Sequence, residues 1–467
     1  MTEPRSTAQI TDLSTFLADA VEHLRKLGTG AFITLPAPHH AAPEAIWRLD
    51  PAEPALLWDR PGLTAVGSGD AIRLQVGLGA QRLSSLHDTI DARLSAMVIV
   101  RHPGARTASP TLWGGASFAS DAPVDEPWAP FGAGQFVLPR WTYLRDERGA
   151  SLSLALCNES DFAQRDQWLH EFSAIHHALT TPLADTEPLP GLRHVSRMPR
   201  ESWAALVEEI KRGIREGRFD KVVLARRSRL RFEAAVDPVD VLRRLARRAE
   251  GSGAFRFGFR REGCTFVGLT PELLVAKQGR SLRSEALAGS APSSPDPTLR
   301  AERRAWLLGN TKDLGEHRVV VDELRRRLRP LAADLDIPEY PRVREMPEIL
   351  HLHTPIRATL DTPLPLFALA DVLGPTPSVG GHPSRAALEF LQTHEPVSRG
   401  WYAGPIGWVD AEGNGEIAVA IRSALIDGDE ALLFAGAGIV RDSEPDAEYE
   451  ETAVKERNLL SALGISG

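Results

Sequence analysis

Residues 203–232 read WAALVEEIKRGIREGRFDKVVLARRSRLRF. Trp203, Leu206, Ile210 and Ile214 recur at helical spacing, and Gly217 closes that helix. From Lys221 the pattern turns to a strand that runs to Phe232. Val222, Leu224 and Arg226 fall on one face of it, and Lys221, Val223 and Ala225 on the other. Further strands are expected at 255–259, 265–268, 349–354 and 415–426, and helices at 311–329, stopped by Pro330, and at 445–463. Upstream, residues 1 to about 8 read as a loose tail, followed by a helical stretch. Short strand-like runs at 31–35, 55–58 and 97–100 come next, divided by Pro and Gly turns. Strands and helices come in clusters rather than in strict alternation, which predicts an α+β fold. The proline-rich segment 181–200 is the candidate connection between halves.

Composition narrows the function. The 467 residues are 43% hydrophobic and 25% charged, ordinary for a globular protein, with no apolar run long enough for a spanning helix. The start lacks the basic and apolar segments of a secretory leader, and the two cysteines, Cys157 and Cys264, form no metal-ligand pattern. A reducing, cytoplasmic setting is expected. The net charge of −8 argues against nucleic acid as the partner, and no membrane association is expected. Two arginine groups, 243–248 and 325–329, alternate with apolar residues and read as solvated faces of amphipathic helices. Of 54 basic residues only six are lysine: Lys26, Lys211, Lys221, Lys277, Lys312 and Lys455. In a chain that writes arginine by default, a titratable ammonium stands out where it falls inside a motif.

Several patterns carry chemistry. In the C-terminal helix Glu448, Glu451 and Lys455 lie within about 60° of one face. Asp313 and Glu316 are likewise three apart, beside Lys312. Two such helices could surround one hard divalent cation such as Mg²⁺, although spacing alone more often describes a solvated charged stripe. His351 and His353 alternate along a strand. They could bind zinc, but without a third ligand a hydrogen-bonding or structural role fits them better. The segment AGAG (435–438) lacks dinucleotide spacing and reads as a tight turn whose amides could meet a ligand carboxylate.

Ten segments occur in an order that resembles chorismate-utilising enzymes, the group that includes anthranilate synthase component I. They are KVVLARR (221–227), GLTPELL (268–274), EALAGS (285–290), KDLGEH (312–317), HLHTPI (351–356), PTPSVGGHP (375–383), RGWYAGPIGW (399–408), AIRSALI (420–426), AGAGIV (435–440) and EYEETAVKE (448–456). The resemblance is nearest to the isochorismate synthases. It is dense from about 200 to 463 and fainter at LWDRPGLTAVGSG (57–69), GGASF (114–118) and FVLPRW (136–141). It implies one large α+β domain, a sandwich of mostly antiparallel sheets with helices outside. Residues 1–190 would form its weakly matching N-terminal part and 191–467 the chorismate-binding catalytic part. Glutamine-dependent relatives typically have an uncharged residue where Lys221 stands and a SGAPK-like segment where this chain reads VGGHPSR. The resemblance therefore implies a water-using enzyme without an amidotransferase subunit.

It also implies roles. Chorismate becomes isochorismate when water attacks C2 and the C4 hydroxyl leaves, which needs a base and an acid. Resemblance assigns these to Lys221 and Glu272. The lysine would need a pKa lowered by burial or nearby cations, and the glutamate a raised one. Mg²⁺ would be held by Glu316 and Glu451, with Glu448 and Asp313 acting directly or through water. Substrate would be bound by His351, Ser378, Tyr402, Arg422, the Gly436 amide and Lys455. Two departures bear on the product. Gly374 stands where relatives often have histidine, and Ser378 where isochorismate synthases usually have alanine and salicylate synthases tend to have threonine. The alternatives are a salicylate synthase, which goes on to eliminate pyruvate, and a catalytically silent chorismate-binding relative.

Overall fold

The computed structural model describes residues 3–121 and 126–465. Its 21 strands join in one connected sheet order, antiparallel except where Ala31–Pro36 runs parallel to Val98–Arg101. The order has a centre and two arms. From the central strand Gly134–Asp146 one arm runs through Thr111–Ala116, Pro405–Asp410, Gly415–Val419, Leu273–Gln278 and Ser281–Pro292 to Ile349–Leu360. The other runs through Leu63–Gln75, Ala55–Arg60, Phe255–Arg261, Cys264–Thr270, Ser423–Asp427 and Glu430–Ile439 to Lys221–Phe232. One cavity is lined by both arms: Leu287–Ser290 and His351 from the first, Val223, Phe434–Gly436 and Gly438 from the second. The sheet order therefore folds over, and its two ends face each other as layers of a sandwich.

Each arm end carries an acidic helix among those packed on it. Thr311–Leu328 packs on Ser281–Pro292, and Pro445–Ala462 packs on Glu430–Ile439. Asn310 caps the first of these, its side chain accepting from the Asp313 amide, which fixes where the acidic turn begins. Between the layers lies an aromatic block. Trp128 meets Phe266 and Phe131, and Trp401 meets Phe131 and Phe259, at ring centroid distances of 5.0–5.9 Å. This is the α+β sandwich expected, with helices on the outside. Among the described residues no helix is long and apolar enough to cross a membrane.

Four details differ from expectation. The loose tail is helical from Glu3, in the helix Glu3–Arg25; residues 1 and 2 lie outside the described residues. The expected strand 415–426 is two strands, Gly415–Val419 and Ser423–Asp427. Arg422 breaks it by adopting φ +54, a conformation that costs a side-chain-bearing residue energy and persists only where the surroundings enforce it. The AGAG segment is no turn: it lies inside the strand Glu430–Ile439, paired with Val223–Arg226. Finally, the arginine groups are not simply solvated. Arg243 and Arg244 donate to the carbonyls of Ala184 and Glu187, fastening the 181–200 connection, and Arg327 donates to the carbonyl of Leu373. Guanidinium forks satisfy backbone acceptors that irregular chain leaves open.

Candidate active site

The cavity gathers Glu272, Glu316, His351, Ser378, Tyr402, Arg422, Gly436, Glu451 and Lys455 at one wall or another. Lys221, Asp313 and Glu448 stand just behind it, all three buried. The residues to which the resemblance assigns roles thus lie in or against one site, although they come from positions 221 to 455.

Lys221 is 1% exposed, and its ammonium donates to Glu316 Oε1 at 2.7 Å. Of the surroundings expected, burial or nearby cations, it has the burial, while its close neighbour is a carboxylate. The pair fits because residue 438 is glycine. A Cβ there would lie 2.5 Å from Glu316 Oε1 and 2.8 Å from Lys221 Cε, inside van der Waals contact. Gly438→Ala should therefore leave the melting temperature within a few degrees of the parent but cost about 10-fold or more in turnover, since sub-ångström displacement of reacting groups is expensive. Steady-state kinetics beside a thermal melt checks this, and unchanged turnover would show that the close approach is incidental.

Glu272 sits at the turn between Cys264–Thr270 and Leu273–Gln278, where Pro271 stops the first strand. Its carboxyl is 2% exposed and accepts from Ser378 Oγ at 2.5 Å and Thr376 Oγ1 at 3.3 Å. Burial pushes it up to about 7, with the nearby Glu285 charge adding to the rise and the two hydroxyls and Lys221 opposing it. A carboxyl that holds its proton near neutrality can donate it.

The opposite wall is cationic. Arg422 is buried, and burial lowers its pKa to about 10 although Tyr402, Glu451 and Glu272 favour its charge. Its Nη2 lies 3.0 Å from His351 Nε2. Arginine can only donate, so Nε2 accepts and the imidazole proton is assigned to Nδ1, which faces the Gly289 carbonyl. Burial and Arg422 keep His351 neutral. Tyr402 stacks on Phe434, ring centroids 5.2 Å apart. Lys455 donates to the Gly436 carbonyl at 2.9 Å and pairs with Glu451 at 2.6 Å. The glycine at 436 leaves its amide bare of side-chain cover: a Cβ would stand 3.3 Å from the Tyr402 hydroxyl.

The acidic helices face each other here. Among the described residues no group of three or more His, Cys, Asp or Glu side chains is gathered to hold a metal ion. Instead three of the four carboxylates are held by the three motif lysines: Glu316 by Lys221, Glu451 by Lys455 and Glu448 by Lys312 at 2.7 Å. Asp313 accepts the Ser290 amide, and burial together with Glu316 and Glu451 pushes it up to about 6, with Lys312 opposing the rise. Burial and Glu451 also raise Glu448. Four carboxylates that repel one another, with no thiolate or imidazole among them, are a donor set suited to a hard divalent cation.

The remaining cavity residues were not singled out from the sequence. Arg399 donates to the carbonyls of Val379 and Val223 and pairs with Glu395, tying the Ser378 loop to the Lys221 strand. It lies inside a quoted motif, yet nothing in its spacing distinguishes it from the chain's many other arginines. The histidine pair also divides. His351 enters the cavity, whereas His353 bonds Glu285 outside it.

With this geometry in place, comparison with known proteins is informative. The model of the family described as chorismate binding enzyme matches residues 37–464. The chain belongs to the chorismate-binding enzymes. A salicylate biosynthesis isochorismate synthase of Pseudomonas aeruginosa is 36% identical over 420 residues, 89% of this chain and 86% of that protein. Isochorismate synthase MenF of Bacillus subtilis is 34% identical over 76% of this chain and 75% of its own length. Among solved structures, the menaquinone-specific isochorismate synthase MenF of Escherichia coli superposes with a TM-score of 0.77 at 27% identity. That match covers 96% of this chain and 99% of the other.

Proposed function

We propose that this chorismate-binding enzyme is an isochorismate synthase, an isomerase that adds water at C2 of chorismate and releases water from C4. The observation that carries the reading is a buried, protonated-range carboxyl, Glu272, and a buried lysine, Lys221, at one cavity whose far wall presents Arg422 and Lys455. In our reading Lys221 takes a proton from the attacking water, and Glu272 gives its own to the departing C4 hydroxyl, so protons balance over the turnover. Arg422, with its planar fork, Tyr402, the Gly436 amide and Lys455 receive one substrate carboxylate. His351 orients Arg422, and Ser378 holds Glu272. The catalytic part comprises residues 191–467.

We further propose Mg²⁺ as the metal, held by Glu316 and Glu451 with Glu448 and Asp313 beside them. When bound it would supply positive charge for the ring carboxylate. Water as nucleophile removes the need for an amidotransferase subunit. Two unpaired cysteines fit a reducing compartment and support a cytoplasmic location.

The test is product analysis by chromatography after incubation with chorismate and Mg²⁺, with pyruvate counted per chorismate consumed. Isochorismate without pyruvate is expected, and EDTA should abolish turnover. Ser378→Ala should leave the product unchanged and Ser378→Thr should raise pyruvate release, because serine lacks the second branch that crowds the pocket. Pyruvate and salicylate in near-equal amount to substrate would make the enzyme a salicylate synthase, and no turnover at all would make it a silent binder.

A further inference from the structure

Glu285 is 8% exposed and fully engaged. Its Oε1 accepts from the Leu273 amide at 2.9 Å and from Arg344 Nη1 at 2.8 Å. Its Oε2 accepts from Arg344 Nη2 at 2.6 Å and from His353 Nε2 at 2.8 Å. Arg344 Nη2 also lies 2.9 Å from His353 Nε2, so the three side chains close a triangle. Arg344 Nη1 also donates to the Pro271 carbonyl at 2.5 Å. The cluster therefore grips the backbone on both sides of Glu272, and none of its three residues lines the cavity. Residues from three strands, Ser281–Pro292, Arg342–Glu345 and Ile349–Leu360, converge on the three-residue span Pro271–Leu273. A stable fold does not need so many charged bonds at one turn, and burying them is expensive unless each is satisfied.

We propose that Glu285, seated by Arg344 and His353, is a positioning residue for Glu272: it fixes the Pro271–Leu273 backbone and so the aim of the Glu272 carboxyl at the leaving hydroxyl. The proposal rests on Glu272 being the acid. A second consequence is electrostatic. The groups that face Glu272 are Lys221 from its strand, Arg422 from the strand break, the Ser378 and Thr376 hydroxyls from their loop, and Glu285 from below. Arg344 and His353 stand behind Glu285. Of these charges only that of Glu285 opposes ionisation of Glu272. The acid works while protonated, so turnover is lost as pH rises through its pKa. Without the Glu285 charge that loss begins at lower pH.

The experiment measures kcat, KM for chorismate and the pH profile of kcat in Glu285→Gln, Arg344→Lys, Glu272→Gln and the double variant Glu285→Gln/Glu272→Gln. Glu285→Gln should lower kcat about 10- to 100-fold with KM within about threefold, and move the alkaline limb to lower pH. Arg344→Lys, which keeps the charge and one donor, should fall between parent and Glu285→Gln in both respects. In the Glu272→Gln background Glu285→Gln should cost nothing further, because it acts through the acid. Parental kcat and limb in both single variants overturn the proposal, as does an undiminished loss in the double variant, which would mark a merely structural role. If Glu285→Gln does not fold, Arg344→Lys decides alone. Should Glu272→Gln itself keep full turnover, the acid assignment fails instead, and the two failures are distinguishable.

Discussion

Lys221→Met is expected to lower kcat by about 10²–10⁴, the usual worth of a general base, while KM for chorismate stays within about an order of magnitude. The methionine keeps the length of the buried side chain but has no nitrogen to accept a proton. Lys221→Arg separates charge from basicity: it restores a cation beside Glu316 but cannot deprotonate at working pH. Both variants should be comparably slow. If arginine recovers most of the turnover, Lys221 is an electrostatic partner of Glu316 and no base. The ion pair sharpens the contrast, because a lysine held at 2.7 Å from a carboxylate must leave it before its lone pair is available.

The second large effect lies away from the cavity. Arg226 is 0% exposed at its side chain and meets Glu456, at 1%, through Nη1–Oε1 and Nη2–Oε2 contacts of 3.1 and 3.2 Å. Thr452, Ser228 and the Tyr449 ring complete its surroundings. The pair joins the Lys221 strand to the helix that carries Glu448 and Glu451. Arg226→Met leaves Glu456 buried without its partner, since Arg197 reaches it only at 4.0 Å. A destabilisation of about 3–5 kcal/mol is expected. The double variant Arg226→Met/Glu456→Leu should recover much of it, because it removes both charges from the interior. Shifts in guanidinium midpoint measure both, and a single variant within about 1 kcal/mol of the parent would contradict the account.

Much of this architecture was legible from local pattern. Alternation in 221–232 gave the strand, and its faces hold: Arg226 shares one with Val222 and Leu224, all buried. The same rule failed at 415–426, because alternation records which residues are buried and not whether the backbone continues. The positive φ of Arg422 is enforced by its neighbours, including the Leu269 amide on its carbonyl, far away in sequence. The AGAG segment failed for a related reason. Glycine marks either conformational freedom or lack of room, and here Gly438 answers the space that Lys221 and Glu316 occupy. Glu285 lies in a quoted motif, yet its bonds to Arg344 and His353 depend on a register that no short window contains. The helical spacing of Glu448, Glu451 and Lys455 was sound and contains the Glu451–Lys455 pair, whereas the lysines on Glu448 and Glu316 come from other elements and were not written in either helix.

The two arms of the sheet order carry a last consequence. Glu272 follows a strand of one arm and opens a strand of the other, whereas Lys221 begins the terminal strand of the second. What spans the gap between the layers is the upstream half, through Gly134–Asp146 and its neighbours. Among the described residues, that half sends no side chain into the cavity. Its contribution is a separation, set by main-chain bonds that many different side chains can accompany. A frame of this kind can accept many different side chains while the distance it keeps stays constant.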